Sequence, residues 1–375
     1  MAVVRLVVAV LVLASAADAA RATELSAIIW RPATHPFVTH GYRALAETVA
    51  RRSGGRLTIS VNPPSKRFAP QAYLKALRDG AVDIAHHVAT FTQDELPELA
   101  LLSAIAPSLK DPLASALAVS DLAVHDGLMQ ARFRNLGIVF GGGYALPTQM
   151  LLCRRPVTSV AGLRGLKLRF ANPLRRQWAA SIGAAGVALP MSEAADALKR
   201  GHVDCIAGDA ATLKERGVLS TGLSLVALNV GLEFSGLQFA MNRASWRKLA
   251  PPLRRLLLDS MAELVPAAVI ANVAMAERAA REASAAGIAR LEPDAALKAS
   301  FDGFMARSGR QRAVTVAGTR LARADVDGLT DRFLAGYARW QNLLATVDRS
   351  DGQAVGALLR REVYDRLDER VYGLD

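Results

Sequence analysis

The spacing of apolar residues changes period repeatedly along this chain, and each change marks an element. Residues 25–30 alternate as a short strand, a polar turn occupies 32–36, and residues 37–52 carry apolar side chains at helical spacing. Ser53-Gly54-Gly55 stops that helix and residues 57–61 alternate again, so the unit reads strand, helix, strand, which implies parallel pairing. The order returns at once: a helix over 71–78 ends at Asp79-Gly80, and a short buried strand covers 82–85.

Farther on, residues 136–140 form a strand running into Gly141-Gly142-Gly143, expected to be a tight crossover, and residues 166–170 form a strand that enters a turn at Asn172-Pro173. The rhythm then repeats as helix 173–182, strand 187–189, helix 192–199 and a strand around 203–206, so two similar α/β halves are expected. Residues 251–286 keep helical spacing for about ten turns, with Pro266 inside, long enough to span both halves. A strand begins at Gly287-Ile288, and residues 325–375 alternate charged and apolar positions as helices packed on the surface.

A length of 375 residues exceeds what one core usually supports, which agrees with two lobes, and 51% hydrophobic with 21% charged residues is globular composition. The net charge of +12 is spread along the sequence rather than gathered in a stripe, which argues against a nucleic-acid face and favours small anions as partners. Arg5, the apolar run of residues 6–13 and Ala17-Asp18-Ala19-Ala20 form a secretory signal peptide, cleaved near Ala20. The run is too short to cross a bilayer, so a soluble periplasmic protein is expected. Cys153 and Cys205 then lie in a compartment that permits disulfides; they could pair, although two buried thiols are the plainer expectation.

The six histidines show no metal-ligand spacing, and the adjacent His86 and His87 point to opposite faces of a strand, as packing or surface residues. The glycine run is followed by neither a Gly-Lys-Ser/Thr ending nor a dinucleotide fingerprint. No catalytic centre, metal or cofactor is expected, and an exported enzyme ranks last among the functions considered.

Several phrases, in order and at matching spacing, resemble the substrate-binding proteins of tripartite ATP-independent periplasmic (TRAP) transporters, the dicarboxylate-type family. They are Ser53-Gly54-Gly55-Arg56-Leu57, the strand entry at 77–85, Leu163-Arg164-Gly165-Leu166-Lys167-Leu168-Arg169, and Pro190-Met191-Ser192-Glu193 with Ala197-Leu198-Lys199-Arg200-Gly201-His202-Val203-Asp204. Ala240-Met241-Asn242-Arg243 with Trp246 and Leu249, then Ala286-Gly287-Ile288, continue the likeness, which covers about residues 25–304. The resemblance implies an α/β, two-lobed periplasmic-binding-protein fold with a ligand cleft between the lobes, crossover hinge strands and a long helix spanning both. It places lobe one at 24–146 and 235–273, and lobe two at 147–234 and 274–375 with an extra helical C-terminal tail.

The resemblance also implies a role: a solute receptor that carries a small organic anion to TRAP membrane permease subunits. A ligand-loaded sensor for a membrane receptor or kinase is the alternative, and monomer and dimer are both compatible with the sequence. Arg169 matches the family's carboxylate-binding arginine, and its planar fork presents two parallel N–H donors to a carboxylate. Asn172 matches an asparagine that reaches the ligand, with a turn residue before Pro173 as the alternative. Gln149 falls near where some members place a second arginine. Asp209 would repel a second carboxylate; it could accept from a hydroxyl or amine, or cap the next helix. Trp30, Tyr144, Phe170 and Phe234 could wall in an apolar body, so a monocarboxylate fits better than a short dicarboxylate. Glu193, Asp83 and Asp204 read as structural.

Overall fold

The computed structural model describes residues 22–62, 67–219, 222–233, 236–317 and 320–374; the expected signal segment and Phe234 lie outside the described residues. In chain order the strands are β1 (Thr23–Ile28), β2 (Leu57–Asn62), β3 (Ile84–His87), β4 (Ile138–Gly143), β5 (Met150–Cys153), β6 (Lys167–Arg169), β7 (Ala185–Val187), β8 (Cys205–Gly208), β9 (Ser224–Val226), β10 (Leu237–Asn242) and β11 (Ala289–Leu291). They form two sheets, ordered β2-β1-β3-β10-β4 and β11-β9-β5-β8-β6-β7.

The doubled rhythm of the sequence becomes two parallel units. β1 pairs in parallel with β2 and β3, and β6 pairs in parallel with β7 and β8. Both units use an aspartate at a strand entry in the same way. Asp83 accepts from the Ser26 N–H and hydroxyl, each at 2.8 Å, and Asp204 accepts from the Lys167 N–H at 2.8 Å, so each carboxylate fixes the neighbouring strand. Helix Ala44–Ser53 stops at Gly54, whose φ of 62° is open to glycine at little cost. The seven residues before that helix, Phe37–Arg43, wind as a π-helix. The third strand starts two residues later than its alternation suggests and runs on through His86 and His87, both buried.

Gly141, Gly142 and Gly143 lie inside β4 rather than in a crossover. A Cβ there would meet the Met261 sulfur at 2.4 Å, a Val265 methyl at 2.4 Å and a Val119 methyl at 2.3 Å respectively, so the bare backbone lets two helices pack against this strand. The crossings follow directly. Residues 144–149 carry the chain out to β5 and meet residues 230–232, which follow β9, in a Thr148–Leu232 bridge and the Gln149–Gly231 and Val230–Gln149 backbone bonds, each 3.0 Å.

The helix Pro251–Ala285, with 35 residues and a length of about 52 Å, crosses as well. Its first half buries Leu257, Leu258, Met261, Val265 and Val269 in the core of the first lobe. Its second half lays Ala276, Ala279, Ala280 and Ala283 on the second.

Cys153 and Cys205 are joined, against the plainer expectation of two thiols. They sit directly opposite each other in the antiparallel β5–β8 pair, which brings the two side chains together on one face of the sheet.

The tail also departs from expectation, which assigned it to lobe two. Helix Ala295–Ala317 begins in the second core through Leu297, Phe301 and Met305. Helices Arg323–Leu344 and Gly352–Glu362 pack instead on the first lobe, because Leu329, Phe333, Trp340, Leu358 and Tyr364 complete its core. The last residues seal that contact: the Tyr364 hydroxyl donates to Gly141 O at 2.9 Å, Tyr372 to Phe140 O at 2.7 Å, and the Trp246 indole N–H to Tyr372 O at 2.8 Å.

Candidate functional site: the junction between the lobes

In open α/β sheets the crevice for ligands forms beyond the carboxyl ends of the strands, where the connecting loops diverge. Here β1 leads to Trp30-Arg31 and β3 carries His86 near its carboxyl end, while β6 ends at Arg169 and β8 leads to Asp209. The two sets meet across the junction, since Asp209 and Glu215 of the second lobe act electrostatically on Arg31 of the first.

Arg169 ends β6 and is buried. Its Nε donates to Leu189 O at 2.8 Å and a terminal nitrogen reaches Ala207 O at 3.5 Å, which orients the fork. Burial lowers the pKa of the guanidinium from its ordinary value, with the charge of Glu233 opposing that shift. Among the described residues no carboxylate lies within 4.0 Å of it. The guanidinium is therefore held in place by carbonyls with its charge left unpaired, a costly arrangement that an incoming anion would relieve.

Arg175, six residues on, is also fully buried and was not singled out in the sequence. Its Nε donates to Val230 O at 2.8 Å, and its terminal nitrogens to Gln149 Oε1 at 2.9 Å and Leu232 O at 2.6 Å. Gln149 gives its amide to Glu233, whose carboxylate stands 3.8 Å from Arg175. Gln149, expected among the ligand contacts near where some family members place a second arginine, instead knots the two crossing segments together. Only its position next to a buried guanidinium echoes that expectation, and nothing in the Arg175-Arg176 pair distinguishes the buried arginine by sequence.

The other expected contacts divide. Asn172 caps helix Pro173–Ser181, accepting from the Leu174 N–H at 2.8 Å, and Asp209 caps helix Ala210–Glu215, accepting from the Thr212 N–H at 3.0 Å and hydroxyl at 2.7 Å. For Asp209 this is the capping alternative, and for Asn172 the local alternative to ligand contact takes the form of a helix cap. Phe170, expected on the cleft wall, is instead wholly buried in the second core, where its ring packs edge-on to Trp178. Trp30 and Tyr144 do come together, on either side of His86, with ring centres at 6.5 and 4.6 Å. The Arg31 guanidinium stacks on Trp30 at 4.1 Å.

Arg31, His35 and His86 escaped the sequence reading, since a charge or imidazole after a strand looks like ordinary surface or packing. Burial, helped by the charge of Arg31, drives His35 down to about 2 and keeps His86 far below its usual value, so both imidazoles are neutral.

A model of the family described as bacterial extracellular solute-binding protein, family 7 (DctP), matches residues 28–310. The chain belongs to that family. Solved structures carry the same fold. A marine-metagenome TRAP solute-binding protein specific for aromatic acids, solved with 3-hydroxybenzoate, has a TM-score of 0.71 at 17% identity and covers 85% of this chain and 99% of its own. A Rhodoferax ferrireducens TRAP solute-binding protein with copurified benzoate scores 0.69 at 18% identity, covering 86% and 99%. A Bordetella pertussis extracytoplasmic solute receptor binding pyroglutamic acid scores 0.66 at 17%, covering 84% and 100%. Among curated proteins, the uncharacterised y4mM of Sinorhizobium fredii is 32% identical over 164 residues, 42% of this chain and only 29% of that relative. As a DctP-family chain, the protein is a transport-type solute-binding protein of two α/β lobes.

Proposed function

We propose that this protein captures a small organic monocarboxylate outside the inner membrane, seats its carboxylate on Arg169, and passes it to a TRAP permease. The observation that carries the reading is the buried Arg169 guanidinium at the end of β6, oriented by Leu189 O and Ala207 O and free of a carboxylate partner among the described residues. A bound carboxylate would accept two charge-assisted bonds there, and lobe closure would strengthen them by removing water. The family match and the acids held by structural neighbours, benzoate, 3-hydroxybenzoate and pyroglutamate, each with one carboxylate, support this choice. Asn172 keeps its amide N–H groups available to the same carboxylate while its oxygen caps the helix.

Native mass spectrometry of the purified protein identifies a copurified acid, and calorimetry then compares wild type with Arg169→Ala and Arg169→Lys. The alanine variant should lose about 100-fold or more in affinity, and lysine should recover only part of it, because a point charge lacks the fork. Equal binding by wild type and Arg169→Ala would remove the proposed clamp.

A further inference from the structure

We propose that Trp30, Arg31 and His86 on the first-lobe wall form a second recognition site that takes an uncharged hydroxyl or carbonyl at the far end of the ligand. The preferred ligands are then hydroxy- or oxo-substituted monocarboxylates, and dicarboxylates are rejected. This deepens the reading given above and rests on it.

Four buried polar atoms gather on this wall without a hydrogen-bond partner among the described residues: Trp30 Nε1, Arg31 Nε, and both ring nitrogens of His86. The groups are neighbours, with Arg31 stacked at 4.1 Å on Trp30 and Trp30 6.5 Å from His86 between ring centres. Buried donors and acceptors are almost always paired, so several unpaired ones side by side at strand ends mark a place where something else binds.

The inventory of these atoms defines the guest. Trp30 and Arg31 offer N–H donors only, while the neutral His86 imidazole offers one donor and one acceptor. A hydroxyl can accept from the first two and donate to the imidazole; a carbonyl satisfies the donors alone. Charge then rules out a second anion. Arg31 brings one positive charge, which Asp209 and Glu215 of the second lobe already offset while Arg216 adds a second cation beside them, so another carboxylate would find no uncompensated positive charge there.

The second-lobe chain links the two ends of the site: Arg169 reaches Ala207 O at 3.5 Å, and Asp209, two residues beyond Ala207, acts electrostatically on Arg31.

The test is calorimetry on the full mature protein with benzoate, 3-hydroxybenzoate and isophthalate, alongside the aliphatic set butyrate, 3-hydroxybutyrate and succinate. In wild type the hydroxy acid should bind about 10-fold or more tightly than its unsubstituted parent, and the dicarboxylate should bind most weakly of its set. Trp30→Phe removes one N–H and keeps the ring, and His86→Phe removes both nitrogens; in either variant the ratio of hydroxy acid to parent should fall toward one. Equal affinities in wild type, a ratio that survives in both variants, or a dicarboxylate that binds best would overturn the second site. Acids that bind through Arg169 without hydroxyl preference would leave the clamp standing and sink this inference alone, whereas no binding of any acid would sink both.

Discussion

On the second-lobe wall of the junction almost every polar group has a protein partner: Arg175 bonds to Val230, Leu232 and Gln149, Asn172 and Asp209 cap helices, and Arg169 leans on two carbonyls. On the first-lobe wall Trp30, Arg31 and His86 keep buried nitrogens unpaired among the described residues. Apart from the unpaired charge of Arg169, one wall is a finished platform and the other is completed by what it binds. The contrast suits a trap, because a platform must hold its shape with or without cargo, while a lid benefits from interactions that exist only when cargo is present.

The sharpest way to break the contrast is Arg175→Ala. It leaves Gln149 and Glu233 without their buried cation and three acceptors without a donor, so a loss of about 3–5 kcal/mol in unfolding free energy is expected, read as a fall in denaturation midpoint. A variant as stable as wild type would show that the platform does not depend on this knot.

Acid should find the other wall. His35, His86 and His87 are buried and held below the ordinary 6.5, His87 at about 4 and His35 at about 2. Below about 6.5 the unfolded imidazoles take up protons that the folded ones refuse, so stability is complete above that pH and falls as pH drops. Each histidine contributes up to about 1.4 kcal/mol per pH unit, and the share of His87 stops growing near pH 4. Melting curves between pH 8 and pH 4.5 should show this slope, and His86→Phe should flatten it; an unchanged slope would mean that His86 titrates normally. The smallest effect belongs to Asn172→Ala, which removes a helix cap worth about 1 kcal/mol. If that variant lowers affinity for the acid more than it lowers melting temperature, Asn172 reaches the ligand as well as capping its helix.

Much of the fold could be read from spacing, because strand alternation, helix-stopping glycines and strand-entry aspartates are local signals. The parallel units around β1 and β6 and the long helix came from such signals. The tail could not be placed this way, since an amphipathic helix declares that it covers a core without saying which one; only Phe333, Trp340 and Tyr364 seated in the first core decide it. The disulfide likewise depends on register between β5 and β8, which no composition reveals. In the site, Arg169 was legible because it ends a strand inside a recognisable phrase. Arg31, Arg175 and His86 were not, because their significance lies in what surrounds them after folding: a partner across the junction, a pair of crossing segments, and an absence of bonding groups.

The seal made by Tyr364 and Tyr372 has a consequence for how the chain comes into being. A ribosome delivers β4 and Trp246 more than a hundred residues before the tail that covers them, so the first lobe keeps the Phe140 and Gly141 carbonyls and the Trp246 indole uncovered until Tyr364 and Tyr372 have been made. Until those residues emerge, a nascent chain lacks part of the first lobe's core. By the same logic a late stop codon, which spares every residue of the cleft, would still leave a first lobe unable to close its own core.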